Sequence, residues 1–201
     1  MKHIILGITG SIAAYKAADI ANRLTKDGNS VHVIMTKEAE EFITPLTLQT
    51  ITKNKVHTDM FEPYVPSKVE HISLAQQADL FLVAPATANF IAKAAMGMAD
   101  DMLTTVLLAT QNVPVLVAPA MNTAMYQNPI TRRNMKLLPE VGFQFVEPRE
   151  DRLACGDLGK GALAEVDVIV EAVRKALEEK GRKLFQLFPA EWTEIIRRNI
   201  L

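Results

Sequence analysis

IILGITGSIAAYKAADIANRLTKDG, residues 4–28, opens with an apolar, β-branched run to residue 9, turns at Gly10-Ser11 and continues with apolar positions at helical spacing. That predicts strand, turn, helix. Gly28 supplies a stop for the helix, and the alternation Val31, Val33, Met35 predicts a second strand ending at Thr36. Working outward, a mixed helical stretch interrupted by Pro45, Pro63 and Pro66 leads to a strand over 80–84, which runs into Pro85-Ala86-Thr87-Ala88-Asn89. An Ala- and Met-rich helix comes next. Further strands are predicted over 113–118, ending in PAMNTAMYQNP, and over 143–146, before a last helix over 166–180. The alternation of β and α predicts an α/β fold, a Rossmann-like or flavodoxin-like parallel sheet with helices on both faces.

The 201 residues, 49% hydrophobic and 22% charged, suit one domain, expected over 1–181, with a tail of uncertain role over 182–201. In that tail, Trp192, Ile195, Ile196 and Leu201 are spaced somewhat like a short amphipathic helix behind Pro189. It is read either as a docking segment or as an appendage. A formal charge of −1 gives no global reason to expect nucleic acid or an anionic membrane as partner. The opening apolar run is too short for a membrane span and has no evident signal-cleavage site, so the cytoplasm is the expected location. A single cysteine, Cys155, cannot form an intrachain disulfide and is a buried hydrophobe, an inert surface thiol or a functional one.

Ligands of such sheets bind beyond the carboxyl ends of the strands, and the unusual residues of this sequence fall there. GITGS is not the full G-x-G-x-x-G fingerprint, and the second strand ends in Thr36 where a dinucleotide site would have Asp or Glu. NAD is disfavoured. A Gly-Ser turn before a helix still offers N–H groups and a hydroxyl to one phosphate, or is simply a tight βα turn. Thr87 and Asn89 add polar groups at the same edge. Asn122 lies between Met121 and Met125; the methionines read as packing, while an amide there has an NH2 to offer a carboxylate. His71 opens a short helix before the third strong strand and is a structural or surface histidine unless it transfers protons. RLACGDLGKGALAE, residues 152–165, surrounds Cys155 with Gly156, Gly159 and Gly161, which suits a mobile lid as well as an ordinary loop. No metal is expected.

Taken together, GITGSIAAYKA, the His71 segment, APATANF, PAMNTAMY and RLACGDLGKGALAE resemble, in this order and over about residues 1–180, the flavin-containing cysteine decarboxylases. That family's P-x-M-N-x-x-M-W signature stands here at Pro119 to Tyr126, with Tyr in place of Trp. The cysteine-bearing segment is similar to the branch acting on 4'-phosphopantothenoylcysteine rather than to peptidyl-cysteine decarboxylases or flavin prenyltransferases. The resemblance implies FMN as cofactor, contacted by Gly10, Ser11, Ile12, Thr36, Thr87, Ala88, Asn89 and Ala120. It implies Asn122 on the substrate carboxylate, with Met125, Arg152 and Ala154 as further substrate contacts. His71 would serve oxidation and decarboxylation, and Cys155 would donate the last proton. Further implications are a thioaldehyde as the electron sink, an enethiolate after carbon dioxide leaves, and a homotrimer, or a dodecamer of trimers, in which the histidine reaches a neighbour's flavin. The chain is too short for the ligase domain fused to many such enzymes, so a stand-alone enzyme and one domain of a fusion both stay open. The alternatives are a decarboxylase of another cysteine-terminated substrate such as a peptide and, more remotely, a phosphatase-binding regulatory subunit, whose long acidic extensions are missing here.

Overall fold

A computed structural model of the chain describes residues 1–61, 69–152 and 158–186. β1 (His3–Ile8) passes through a 3-10 turn (Ile12–Lys16) into α1 (Ala17–Lys26), followed by β2 (Ser30–Met35), α2 (Lys37–Glu40), α3 (Pro45–Thr52) and β3 (Val56–His57). Then come α4 (Glu70–Gln77), β4 (Leu80–Ala86), α5 (Ala88–Met96), α6 (Met102–Ala109), β5 (Val115–Pro119), α7 (Thr123–Gln127) and α8 (Pro129–Glu140). β6 (Phe143–Phe145), the strands β7 (Arg149–Arg152) and β8 (Leu158–Ala162), and α9 (Val166–Gln186) complete the described order. No described helix is long and apolar enough to cross a membrane.

The sheet has six strands in the order β3-β2-β1-β4-β5-β6, all pairs parallel. This is the doubly wound order of the Rossmann type, and the chain reverses direction across the sheet between β1 and β4. Successive strand residues point to opposite faces, so β1 feeds two cores. Ile4, Leu6 and Ile8 pack with Ile20 and Leu24 of α1 and Ile169 and Val173 of α9. On the other face, Ile5 packs with Leu74 of α4, Phe90 of α5 and Leu103 and Val106 of α6. Because both faces are covered, β4 is buried at every residue and reads as a continuous apolar run.

The predicted strands are present with small shifts at their ends; α7 and α8 occupy a stretch for which the sequence reading predicts no helix, α9 runs on to Gln186 rather than ending at 180, and three further features depart from it. β3 has only two residues beside β2, too few for any periodicity to mark. The helix expected straight after Gly10-Ser11 begins as a 3-10 turn, with Ser11 Oγ accepting from Ala13 N at 3.3 Å. The glycine-rich segment near Cys155 is flanked by an antiparallel pair, β7 and β8, rather than being loop throughout. Its glycines serve close approach: a Cβ on Gly161, at φ +150°, would stand 2.3 Å from Met121 O, and one on Gly159 would stand 2.5 Å from Thr123 Oγ1.

Candidate active site

The end of β1 is tied to the end of β4 at the point where the strand order reverses. Thr9, 2% exposed, donates from Oγ1 to Pro85 O at 2.8 Å and accepts from Thr87 N at 3.0 Å, while Thr9 N also donates to Pro85 O at 3.2 Å. One hydroxyl thus fixes how far the two loops stand apart. Thr9→Val keeps the shape but leaves the Thr87 N–H without its acceptor, an expected loss of about 1–3 kcal/mol in stability. Thr9→Ser should recover most of it. Denaturant melts of both variants check this, and equal midpoints for Val and Ser would dismiss the hydroxyl's role.

Two cavities flank this tie. The first, about 280 Å3, is lined by Gly10, Thr36, Glu38, Thr87, Asn89 and Met125, with Lys93 and Asp101 in its wall. Thr36 Oγ1 is buried and has no hydrogen-bond partner among the described residues, which leaves a donor and acceptor in the cavity wall. Gly10 is required for the loop to pass α2, since a Cβ there would stand 2.3 Å from Glu38 Cβ. Lys93 Nζ lies 2.8 Å from Asp100 Oδ1 and 2.9 Å from Asp101 Oδ2. Burial works against the lysine's charge, but its hydrogen bonds with Asp100 and Asp101 outweigh it and raise its pKa. Burial opposes the charge of Asp101 as well, and the Thr104 N–H, the Lys93 ammonium and the Thr104 hydroxyl outweigh it, so that carboxyl lies below its ordinary range. The pair is therefore ionised at neutral pH.

The second cavity, about 440 Å3, collects Ser11, Ile12, Ala120, Asn122, Arg149 and Asp151 among its lining residues. Asn122 caps α7, its Oδ1 accepting from Ala124 N at 2.8 Å, which fixes the oxygen toward the helix and makes the NH2 the other end of the amide. Met121 N donates to Gly161 O at 2.9 Å and so fastens β8 to the PAMN turn. Arg149 is held at 2.7 Å by Asp151 and at 2.7 Å by Glu165.

Of the residues singled out from sequence, Gly10, Thr36, Thr87, Asn89 and Met125 meet at the first cavity, and Ser11, Ile12, Ala120 and Asn122 at the second. Met125 lines the first cavity and Asn122 the second, although Asn122 caps the helix that carries Met125. Ala88 opens α5 and lines neither cavity; His71, half-buried in the first turn of α4, lines neither. Arg152 ends β7 with its side chain outside the described atoms, and Ala154 and Cys155 lie outside the described residues. Sequence reading missed Thr9, Lys93 and Asp101. Thr9 looks like the last residue of a strand, whereas Lys93, four residues after Asn89 on a helix, was findable from the i, i+4 spacing.

Residues 1–178 match the Flavoprotein family, and the chain belongs to that family. It is 50% identical over 177 residues to the probable phosphopantothenoylcysteine decarboxylase of Streptococcus mutans, covering 88% of this chain and 99% of that protein. It is 47% identical over 179 residues to the coenzyme A biosynthesis bifunctional protein CoaBC of Bacillus subtilis, covering 89% of this chain but only 44% of that longer protein. Among solved structures, a cysteine-to-serine mutant of PPC decarboxylase complexed with pantothenoylaminoethenethiol superposes with a TM-score of 0.82 at 35% identity, covering 88% of this chain and 98% of that one. The FMN-dependent cysteine decarboxylase SpaF gives a TM-score of 0.78 at 31% identity, covering 90% and 98%.

Proposed function

We propose that this chain is an FMN-dependent carboxy-lyase that converts 4'-phosphopantothenoylcysteine to 4'-phosphopantetheine in coenzyme A biosynthesis. The observation that carries the reading is the pair of cavities at the β1/β4 reversal, one with an orphaned Thr36 hydroxyl and the other with the oriented amide of Asn122. The residues fit a mononucleotide: small polar groups at Thr36, Thr87 and Asn89, a close-passing Gly10, and Thr rather than an acid where β2 ends. Gly10, Ser11, Ile12, Thr36, Thr87, Ala88, Asn89 and Ala120 would hold it. When bound, FMN supplies a reversible acceptor for two electrons from the cysteine side chain.

The chain's own residues do the rest. Asn122 donates from its NH2 to the substrate carboxylate and holds the bond to be broken in place. Met125, Arg152 and Ala154 contact the substrate, His71 moves protons during oxidation and loss of carbon dioxide, and Cys155 protonates the carbon end of the enethiolate. His71 lines neither of these two cavities among the described residues, which is compatible with a site shared between subunits; the assembly proposed is a homotrimer, alone or within a dodecamer, where the histidine enters a neighbour's site. In this reading residues 1–181 form the catalytic domain, although α9 runs on to Gln186, and the enzyme works in the cytoplasm; the expected amphipathic tail around Trp192 to Leu201 lies outside the described residues.

The purified protein should be yellow, release FMN rather than FAD on denaturation, and lighten 4'-phosphopantothenoylcysteine by one carbon dioxide. Turnover of a cysteine-terminated peptide in its place would move the assignment to the peptide branch. A colourless protein that returns the substrate unchanged would end the reading.

A further inference from the structure

Outside α8, the arginines whose side chains are described all pair with carboxylates. Arg23 pairs with Asp19 and Asp167, Arg149 with Asp151 and Glu165, and Arg174 with Asp27 and Glu171. α8 departs from that pattern. Arg132, Arg133 and Lys136 are exposed and have no carboxylate partner among the described residues. Arg132 and Lys136 stand four apart and Arg133 and Lys136 three apart, so the like charges are neighbours and repel one another on the same stretch of helix.

These cations rim a groove of about 770 Å3 that runs along the edge strand β6, with Tyr126, Phe143 and Phe145 among its lining. The Arg132 guanidinium lies 5.5 Å from the Tyr126 ring centroid. Glu147, the carboxylate lining the groove, is already engaged by Lys160 Nζ at 2.8 Å and the Tyr126 hydroxyl at 3.4 Å. The free charge in the groove is therefore positive, above a partly apolar floor. The groove and the Asn122 cavity share α7: Tyr126 N donates to Asn122 O at 2.9 Å, and Tyr126 of the groove stands one helical turn, about 5.4 Å, along the chain from Asn122.

We propose that this groove binds the phosphate monoester end of the substrate whose cysteine end is held at Asn122. The inference rests on the decarboxylase reading and adds the source of its selectivity for a phosphorylated substrate. An extended phosphopantothenoylcysteine, three amide-linked units with a terminal phosphate, spans roughly 12–15 Å, enough to reach past one helical turn. Arg132 and Arg133 provide planar donor forks and Lys136 a compact charge for the phosphate oxygens. Phe143 and Phe145 give the neighbouring gem-dimethyl carbon of the pantoyl unit an apolar surface.

The test is a binding titration of the intact holoprotein with 4'-phosphopantetheine and with pantetheine, in the wild type and in the triple variant Arg132→Ala, Arg133→Ala, Lys136→Ala. The wild type should prefer the phosphorylated ligand by roughly ten- to a hundredfold, the range expected for a few exposed charge-assisted hydrogen bonds, and the variant should lose most of that preference. Because the readout is a ratio within each protein, a general loss of affinity does not imitate it. The single variant Lys136→Arg should keep it. Equal binding of the two ligands by the wild type, or an undiminished preference in the triple variant, would overturn the proposal and return α8 to an ordinary solvated face. Turnover is scored separately: a phosphate preference carried by these residues in a protein that decarboxylates nothing would sink the enzymatic reading and leave the groove assigned.

Discussion

Cys155→Ser should stop the reaction after carbon dioxide has left, reducing phosphopantetheine formation by roughly a hundred- to ten-thousandfold, the range for losing a positioned proton donor. The proposed chemistry has an oxidative half, which needs the electron acceptor and His71, and a reductive half, which needs a proton delivered to carbon. A thiol near its ordinary pKa of about 8.5 can release that proton, and a serine hydroxyl is a far weaker acid. With substrate, the variant should bleach its flavin, release one equivalent of carbon dioxide and accumulate an enethiol two hydrogens lighter than phosphopantetheine. Mass spectrometry of the products decides it. Normal phosphopantetheine from the serine variant would remove Cys155 from the chemistry, and with it much of the case against a peptide substrate.

His71→Asn should fail earlier and as severely, by roughly a hundred- to ten-thousandfold, with neither bleaching nor carbon dioxide. The side chain is half-buried at the first turn of α4, and asparagine is tolerated there, so flavin content and the melting transition should stay near those of the wild type. A bleached flavin in this variant would show that another group takes the proton. Sharing of the site is tested by mixing: co-expressed His71→Asn and Cys155→Ser chains should recover activity, because a hybrid assembly contains sites with an intact histidine from one chain and an intact cysteine from the other. Hybrids as inactive as their parents would place both residues in one chain's site.

Much of the architecture was legible in the sequence because a parallel sheet covered on both faces demands apolar strands, and these stand out: residues 4–8, 80–86 and 115–119 carry the β1, β4 and β5 runs. The candidate site was legible where chemistry departs from that demand. Thr36 replaces an expected acid, and Thr87, Asn89 and Asn122 place polar groups just past buried strands. β3 was not legible, being two residues long, nor was β8, because Gly159 and Gly161 carry no side chain to set a strand periodicity.

By itself the sequence determined which residues end up at the strands' carboxyl edge, since strand periodicity and the βα turns fix that locally. Only the tertiary structure decided how they are shared out. The Thr9 hydroxyl joins loops 76 residues apart at the reversal of strand order, and Thr36 lines one cavity with Met125 while Ser11 lines the other with Asn122. It also decided that α8's cations overlook a groove lined by Tyr126, Phe143 and Phe145, whose carboxylate, Glu147, is engaged by Lys160. The physical reason is the same in both cases: spacing along a chain governs contacts within a helix or strand, whereas a contact between elements depends on the sheet order and on which face each helix buries.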